Sequence, residues 1–173
     1  GIFASPFLIP RVFDPSVYAP IKEVPKPAVH RMYIWKFASD RILEKPIAGW
    51  GMNAARTIPG GKEITYDEYR AQYGENLPLH PHNAVLQIWL ELGLPGIAAF
   101  ALLLVLILTR ARALGLTRLA GTLLLMQFMS IFLFSEASFG IWQSWWQALL
   151  WFNISLAVIF YRPAPPSEPP LTA

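Results

Sequence analysis

One stretch, "LHPHNAVLQIWLELGLPG" from Leu79 to Gly96, carries two imidazoles, two amides and a carboxylate into an otherwise apolar run. From Asn83, Gln87 and Glu91 follow at i+4 and i+8, which on a helix makes one stripe. The rest of that cylinder is Val85, Leu86, Ile88, Trp89 and Leu90, so the stripe must face water, protein or substrate, because lipid would leave its polar groups without partners. Asn83 is a good N-cap and places His82 at the helix entrance with its ring accessible. A neutral imidazole, with an ordinary pKa of about 6.5, can take a proton from a hydroxyl at neutral pH, which makes His82 a candidate general base. An interfacial histidine that only caps or packs fits the same spacing, and spacing alone does not choose between them.

His80 and His82 flank Pro81 closely enough to suggest a metal site, but zinc chemistry needs a third protein ligand and nothing nearby supplies one. Pro81 reads better as a stiffener that aims His82, and the reading is metal-free. Arginines are the next candidates, since a guanidinium fork donates two hydrogen bonds at once to phosphate oxygens. Arg31 opens an amphipathic segment, Arg41 lies ten residues on, and Arg56 closes "GWGMNAAR". Each taken singly also fits a solvated surface residue. Glu136 in "SEASFG" is functional by position if it lies in a membrane and ordinary if it lies in a loop.

These groups need elements to hold them. The chain is 54% hydrophobic and 14% charged, too apolar for an ordinary soluble domain of 173 residues. Seven Trp suit a water-lipid boundary, and Trp142, Trp145, Trp146 and Trp151 cluster near one expected helix end. The absence of cysteine excludes disulfides and thiolate chemistry. A net charge of +3 without aromatic-basic interleaving gives no support to nucleic acid as a partner.

The expected fold class is all-α: a polytopic helical membrane protein with a large, partly helical extracytoplasmic loop. Residues 1–10 read as the exit of a preceding span, 11–83 as a periplasmic loop, and 84–160 as a membrane region. Its three spans fall near 94–109, 119–134 and 141–160. Residues 161–173 read as a disordered, Pro-rich cytoplasmic tail. With no initial Met and no signal-peptide pattern, the chain reads as a piece of a longer protein, inactive alone. Arg110, Arg112, Arg118 and Arg162 place their ends in the cytoplasm, so the long loop and "SEASFG" face the other side. Within the loop, "HRMYIWKFASDRILEKP" has helical periodicity and stops at Pro46. Tyr66, Tyr69 and Tyr73 suggest a second short helix.

At this point a family resemblance enters. His82-Asn83, nine residues, then Gly93 and Gly96 resembles the His-[Asn/Ser/Gln]-x9-Gly-x-x-Gly signature of the O-antigen ligase family, bacterial membrane enzymes of lipopolysaccharide assembly. "DRILEKPIAGWGMNAAR" resembles that family's helix and Pro-x-x-Gly-x-Gly turn, and the likeness covers about Arg31 to Gly96. Ile97 and Ala98 stand where many ligases carry a Thr pair. The resemblance implies an inverting, metal-independent glycosyltransferase of the bacterial inner membrane, without cofactor and with its active face periplasmic. It would move glycan from an undecaprenyl-diphosphate carrier to an acceptor hydroxyl on lipid A-core, another glycan or a protein. His82 matches the family's essential histidine, Arg31 and Arg56 are the candidates for the diphosphate, and Asn83 and Glu91 would orient sugar or imidazole. Polymerisation of repeat units and transfer to protein share this architecture. A transporter or scaffold is the reading from another class, but a transporter keeps polar groups at mid-membrane, whereas here they gather at the outer edge.

Overall fold

The computed structural model describes residues 4–69, 72–137 and 139–161. Its elements are helices: α1 (Ser5–Val12), α2 (Pro15–Tyr18), α3 (Lys26–Glu44), a 3-10 turn (Ala54–Arg56), α4 (Ala84–Ala113), α5 (Arg118–Ser135) and α6 (Ser144–Phe160). The described residues contain no strand, only an isolated antiparallel bridge between Ile64 and Glu75. The all-helical expectation holds.

Pro27 in the first turn of α3 removes an N–H that would have had no intrahelical acceptor. The helix then buries Ile34, Ala38 and Ile42, spaced so that they share one face, against α4. That face joins Ala55, Ile58 and Leu77 from the following loop and Leu86, Trp89, Leu90 and Ile97 from α4 into a single core. α1 lies against both α3 and α4, and Phe13 meets the ring of Trp35 edge-on at 5.3 Å.

α4 and α5 are long and apolar enough to cross a membrane, and α6 is a shorter apolar helix. No residue of α5 is buried, and Trp146 is the only buried one in α6. Leu123, Leu125, Leu133, Leu149 and Phe152 are exposed, the reverse of a soluble core. The loop before α4 packs only its first part: Ala84 to Glu91 are buried, while Leu102, Leu103 and Val105 are exposed.

α4 bends at Gly93, where φ is +64°. Pro95 has no N–H to give the carbonyl of Glu91, and the bend turns the N–H of Leu94 away from Leu90. The preceding loop fills both gaps. Gly51 N–H donates to the Glu91 carbonyl at 2.9 Å, and Trp50 N–H to that of Leu90 at 2.8 Å. Leu94 N–H in turn donates to the carbonyls of Pro46 and Ile47, at 2.9 and 3.1 Å. A buried carbonyl or amide left unmatched costs about 1–3 kcal/mol, so the turn and the bend stabilise one another.

The second short helix expected around Tyr66, Tyr69 and Tyr73 is absent from the described residues. The chain instead turns back on itself, with Thr65 N–H to Gly74 O at 2.8 Å and Tyr73 N–H to Thr65 O at 3.0 Å. The Asp67 carboxylate accepts from Tyr69 N–H at 2.9 Å, a local turn that competes with helix nucleation. Arg162, all but the first residue of the expected tail, Ser138 and residues 1–3 lie outside the described residues.

Candidate functional site

The stripe on α4 faces protein. Asn83 caps the helix, its Oδ1 accepting from Leu86 N–H at 2.8 Å, and its amide donates to the Glu136 carbonyl at 3.3 Å. Gln87 Oε1 accepts from Ile141 N–H at 2.9 Å. Glu91 is fully buried, and a buried carboxylate must be saturated with donors. Its Oε2 accepts from Asn53 N–H at 2.8 Å and from the Trp142 indole, and its Oε1 from Gln87 Nε2 at 3.2 Å and Ala55 N–H at 3.4 Å. The Asn53 loop, α4 and the α5–α6 connection thus meet on one carboxylate.

His82 has φ +53°, in the left-handed region that few non-glycine residues adopt, immediately before the Asn83 cap. The Trp35 indole of α3 donates to the neighbouring Pro81 carbonyl at 2.9 Å, so the loop is held from both sides of the histidine. The ring of His82 is half-buried and meets that of His80 edge-on at 4.3 Å. No third His, Cys, Asp or Glu joins the two imidazoles as a ligand cluster among the described residues.

His80 is buried, and that burial, followed by the charges of His82 and Arg56, pushes its pKa down to about 4. The imidazole is therefore neutral at neutral pH, and His82 and Arg56 both lie within electrostatic reach of it. Arg56 is exposed on the 3-10 turn, with its Nε donating to Asn53 Oδ1 at 3.2 Å. That bond occupies one edge of the guanidinium and leaves the Nη groups for another acceptor. Glu136, at the end of α5, is half-buried, and that burial pushes its pKa up to about 7, outweighing the opposing pull of Val85 and Asn83.

Between these elements lies a cavity of about 260 Å³. Arg56, Asn53 and His80 line one part of it, Gly140, Trp142 and Gln143 another. The structure therefore brings His82, through His80, together with Arg56. Arg31 is exposed on α3, one helical turn before Trp35, and lines no part of this cavity. Asn83 and Glu91 are buried beneath it with their polar atoms engaged by protein.

The sequence points to Trp142 only as one of a boundary cluster of tryptophans, and gives Gln143 and Gly140 no role. A signal was present: a Trp-Gln pair after "SFG", just where an outer connection begins a helix. Nothing local says that it folds onto residues some fifty positions earlier, as the contact of Trp142 with Glu91 does.

The family model described as O-antigen ligase matches residues 16–101, from α2 through the first part of α4. A Rickettsia conorii protein named "Putative polysaccharide ligase" is 36% identical over 119 residues, 69% of this chain and 28% of that protein. Its namesake in Rickettsia typhi is 34% identical over 140 residues, 80% of this chain and 34% of that protein. The chain thus spans about a third of the length of these relatives. No solved structure matches it significantly.

Proposed function

Since this chain belongs to the O-antigen ligase family, we propose that it carries the histidine and part of the diphosphate site of a glycosyltransferase at the periplasmic face of the bacterial inner membrane. The donor is glycan on undecaprenyl diphosphate, and the acceptor is a hydroxyl of lipid A-core, of another glycan or of a protein. His82 takes the acceptor proton as the new bond forms at the anomeric carbon from the face opposite the leaving group. The bond from that carbon to the phosphate oxygen breaks with its electron pair, and configuration inverts. Arg31 and Arg56 hold the diphosphate, whose departure needs charge neutralisation more than protonation, so no metal is required. Asn83 serves by aiming His82, and Glu91 by holding the loop that presents Asn53 and Arg56. The apolar outward faces of α4, α5 and α6 support a polytopic membrane setting.

The observation that carries this reading is the placement of His82: a strained, half-buried imidazole fixed between a helix cap and the Trp35 bond, with an arginine across His80. A histidine that merely packs has no need of that backbone conformation, which costs on the order of 1 kcal/mol. The test is glycan transfer from a lipid-diphosphate donor by the full-length protein in nanodiscs, chelator present, comparing wild type with His82→Ala and His82→Gln. Loss of about 100-fold or more in both, with melting and donor binding retained, is the expected result. Transfer at the wild-type rate in either variant refutes the role of His82.

A further inference from the structure

We propose that the cavity between the Asn53 loop, His80 and the α5–α6 connection is a subsite for one neutral sugar ring, the ring attached to the donor's diphosphate. This rests on the reading of the chain as a lipid-diphosphate glycosyltransferase and adds where the first sugar sits and which side chains select it.

Size is the first argument. Ligand pockets commonly run from about 300 to 1,000 Å³, and this cavity of about 260 Å³ lies just below that range, room for a single ring and not for a chain of them. Chemistry is the second. No acidic side chain is among the described residues that line it; Glu91, the nearest carboxylate in the network, is sealed beneath by four N–H donors. Its polar groups are amide, imidazole and indole, which suit a neutral polyol, with a single guanidinium, and Met52 and Leu79 add apolar surface. Trp142 has already committed its N–H to Glu91, so it can offer a ligand only its apolar ring surface, which fits the C–H face of a pyranose.

Unmet hydrogen-bonding capacity is the third. Gln143 Oε1 and His80 Nδ1 are buried without a partner, and both belong to lining residues. A buried acceptor without a donor is costly, and sugar hydroxyls are donors. His80 is held neutral, so its ring can accept as well as donate. Gly140 lets the His80 ring sit where it does in the wall: a Cβ there would fall against that ring, 3.0 Å from Cγ and nearer still to Cδ2. Arg56 places a guanidinium on the same cavity, where the phosphate of a sugar phosphate would meet it.

The experiment uses two probes on the protein in nanodiscs, undecaprenyl diphosphate and the same lipid bearing one N-acetylhexosamine. The variants are Gln143→Ala, whose side chain makes no capping bond to α6, and Gly140→Ala, whose Cβ would press on the His80 ring and displace it within the cavity wall. Expected is a wild type that binds the sugar-bearing lipid about 10-fold more tightly than the bare one, with both variants losing that difference while keeping affinity for the bare lipid. Equal binding of the two lipids by wild type, or a preference unchanged in both variants, overturns the subsite and leaves the diphosphate site standing. Binding of neither lipid by wild type overturns both.

Discussion

Gly49 and Gly93 meet back to back at the bend of α4. A Cβ on Gly49 would lie 2.5 Å from the Glu91 carbonyl oxygen, and one on Gly93 2.6 Å from the Gly49 nitrogen. Both have positive φ, +67° and +64°. Two glycines that sequence places in separate motifs are one joint, and it sets the height of the Asn53 loop over Glu91. Gly49→Ala or Gly93→Ala is expected to cost at least about 2 kcal/mol through strain and lost backbone pairing. Gly121→Ala, in α5 with open space around it, is expected to leave the melting temperature in detergent unchanged. Faster amide exchange at Trp50 and Gly51 in the first two variants would locate the damage, and protection at the wild-type level there would refute the joint.

Glu91→Gln replaces an acceptor oxygen with an N–H₂ among four donors. Gln87 cannot turn its amide to compensate, because its Oε1 already holds Ile141 N–H. The expected destabilisation is about 2–3 kcal/mol, together with a raised KM for donor as the Arg56 loop loosens. Melting and transfer kinetics measured on one preparation check both, and a variant as stable as wild type removes Glu91 from its organising role.

Trp35→Phe deletes the donor to Pro81 O and keeps the apolar body of the side chain. Stability should fall by only about 1 kcal/mol. The turnover number should drop by about 10-fold with little change in donor affinity, because the bond aims His82 and touches no phosphate. An effect on KM alone would contradict that assignment.

Arg56→Lys retains the charge and loses the fork that Asn53 orients at 3.2 Å. Donor affinity is expected to fall by about 10-fold, since an ammonium cannot reproduce two parallel hydrogen bonds. Titration with undecaprenyl diphosphate reads this directly, and unchanged affinity would take Arg56 out of the diphosphate site.

Buried His80 and half-buried Glu136 give opposing pH dependence. His80 falls from 6.5 to about 4 on folding, so the unfolded chain binds an extra proton in that window and stability drops as pH is lowered through it. Glu136 rises from 4.5 to about 7, so the folded chain keeps a proton that the unfolded chain releases, and stability drops as pH rises through that window. Between 4.5 and 6.5 the two slopes oppose one another. Glu136→Gln should therefore uncover a melting temperature that climbs with pH across that interval. A variant profile parallel to that of wild type would show that Glu136 does not titrate there.

The local features were legible in the sequence because their physics is local. The Asn83 cap, the i, i+4, i+8 stripe, the end of α3 before Pro46 and the apolar runs of α4, α5 and α6 each depend on residues within a turn or two of one another. The sequence by itself also determined that the stripe could not face lipid. What covers it was decided by tertiary structure: Glu91 takes donors from Asn53 and Trp142, 38 and 51 residues away, and no periodicity encodes such a pairing. The same limit explains the tyrosine segment. There a side-chain turn at Asp67 and a backbone return between Thr65 and Gly74 prevail over a helical pattern that long-range packing never rewarded. It also explains the bend at Gly93, since a proline in α4 announces free carbonyls, but only the fold determines that the N–H groups of Trp50 and Gly51 arrive to meet them.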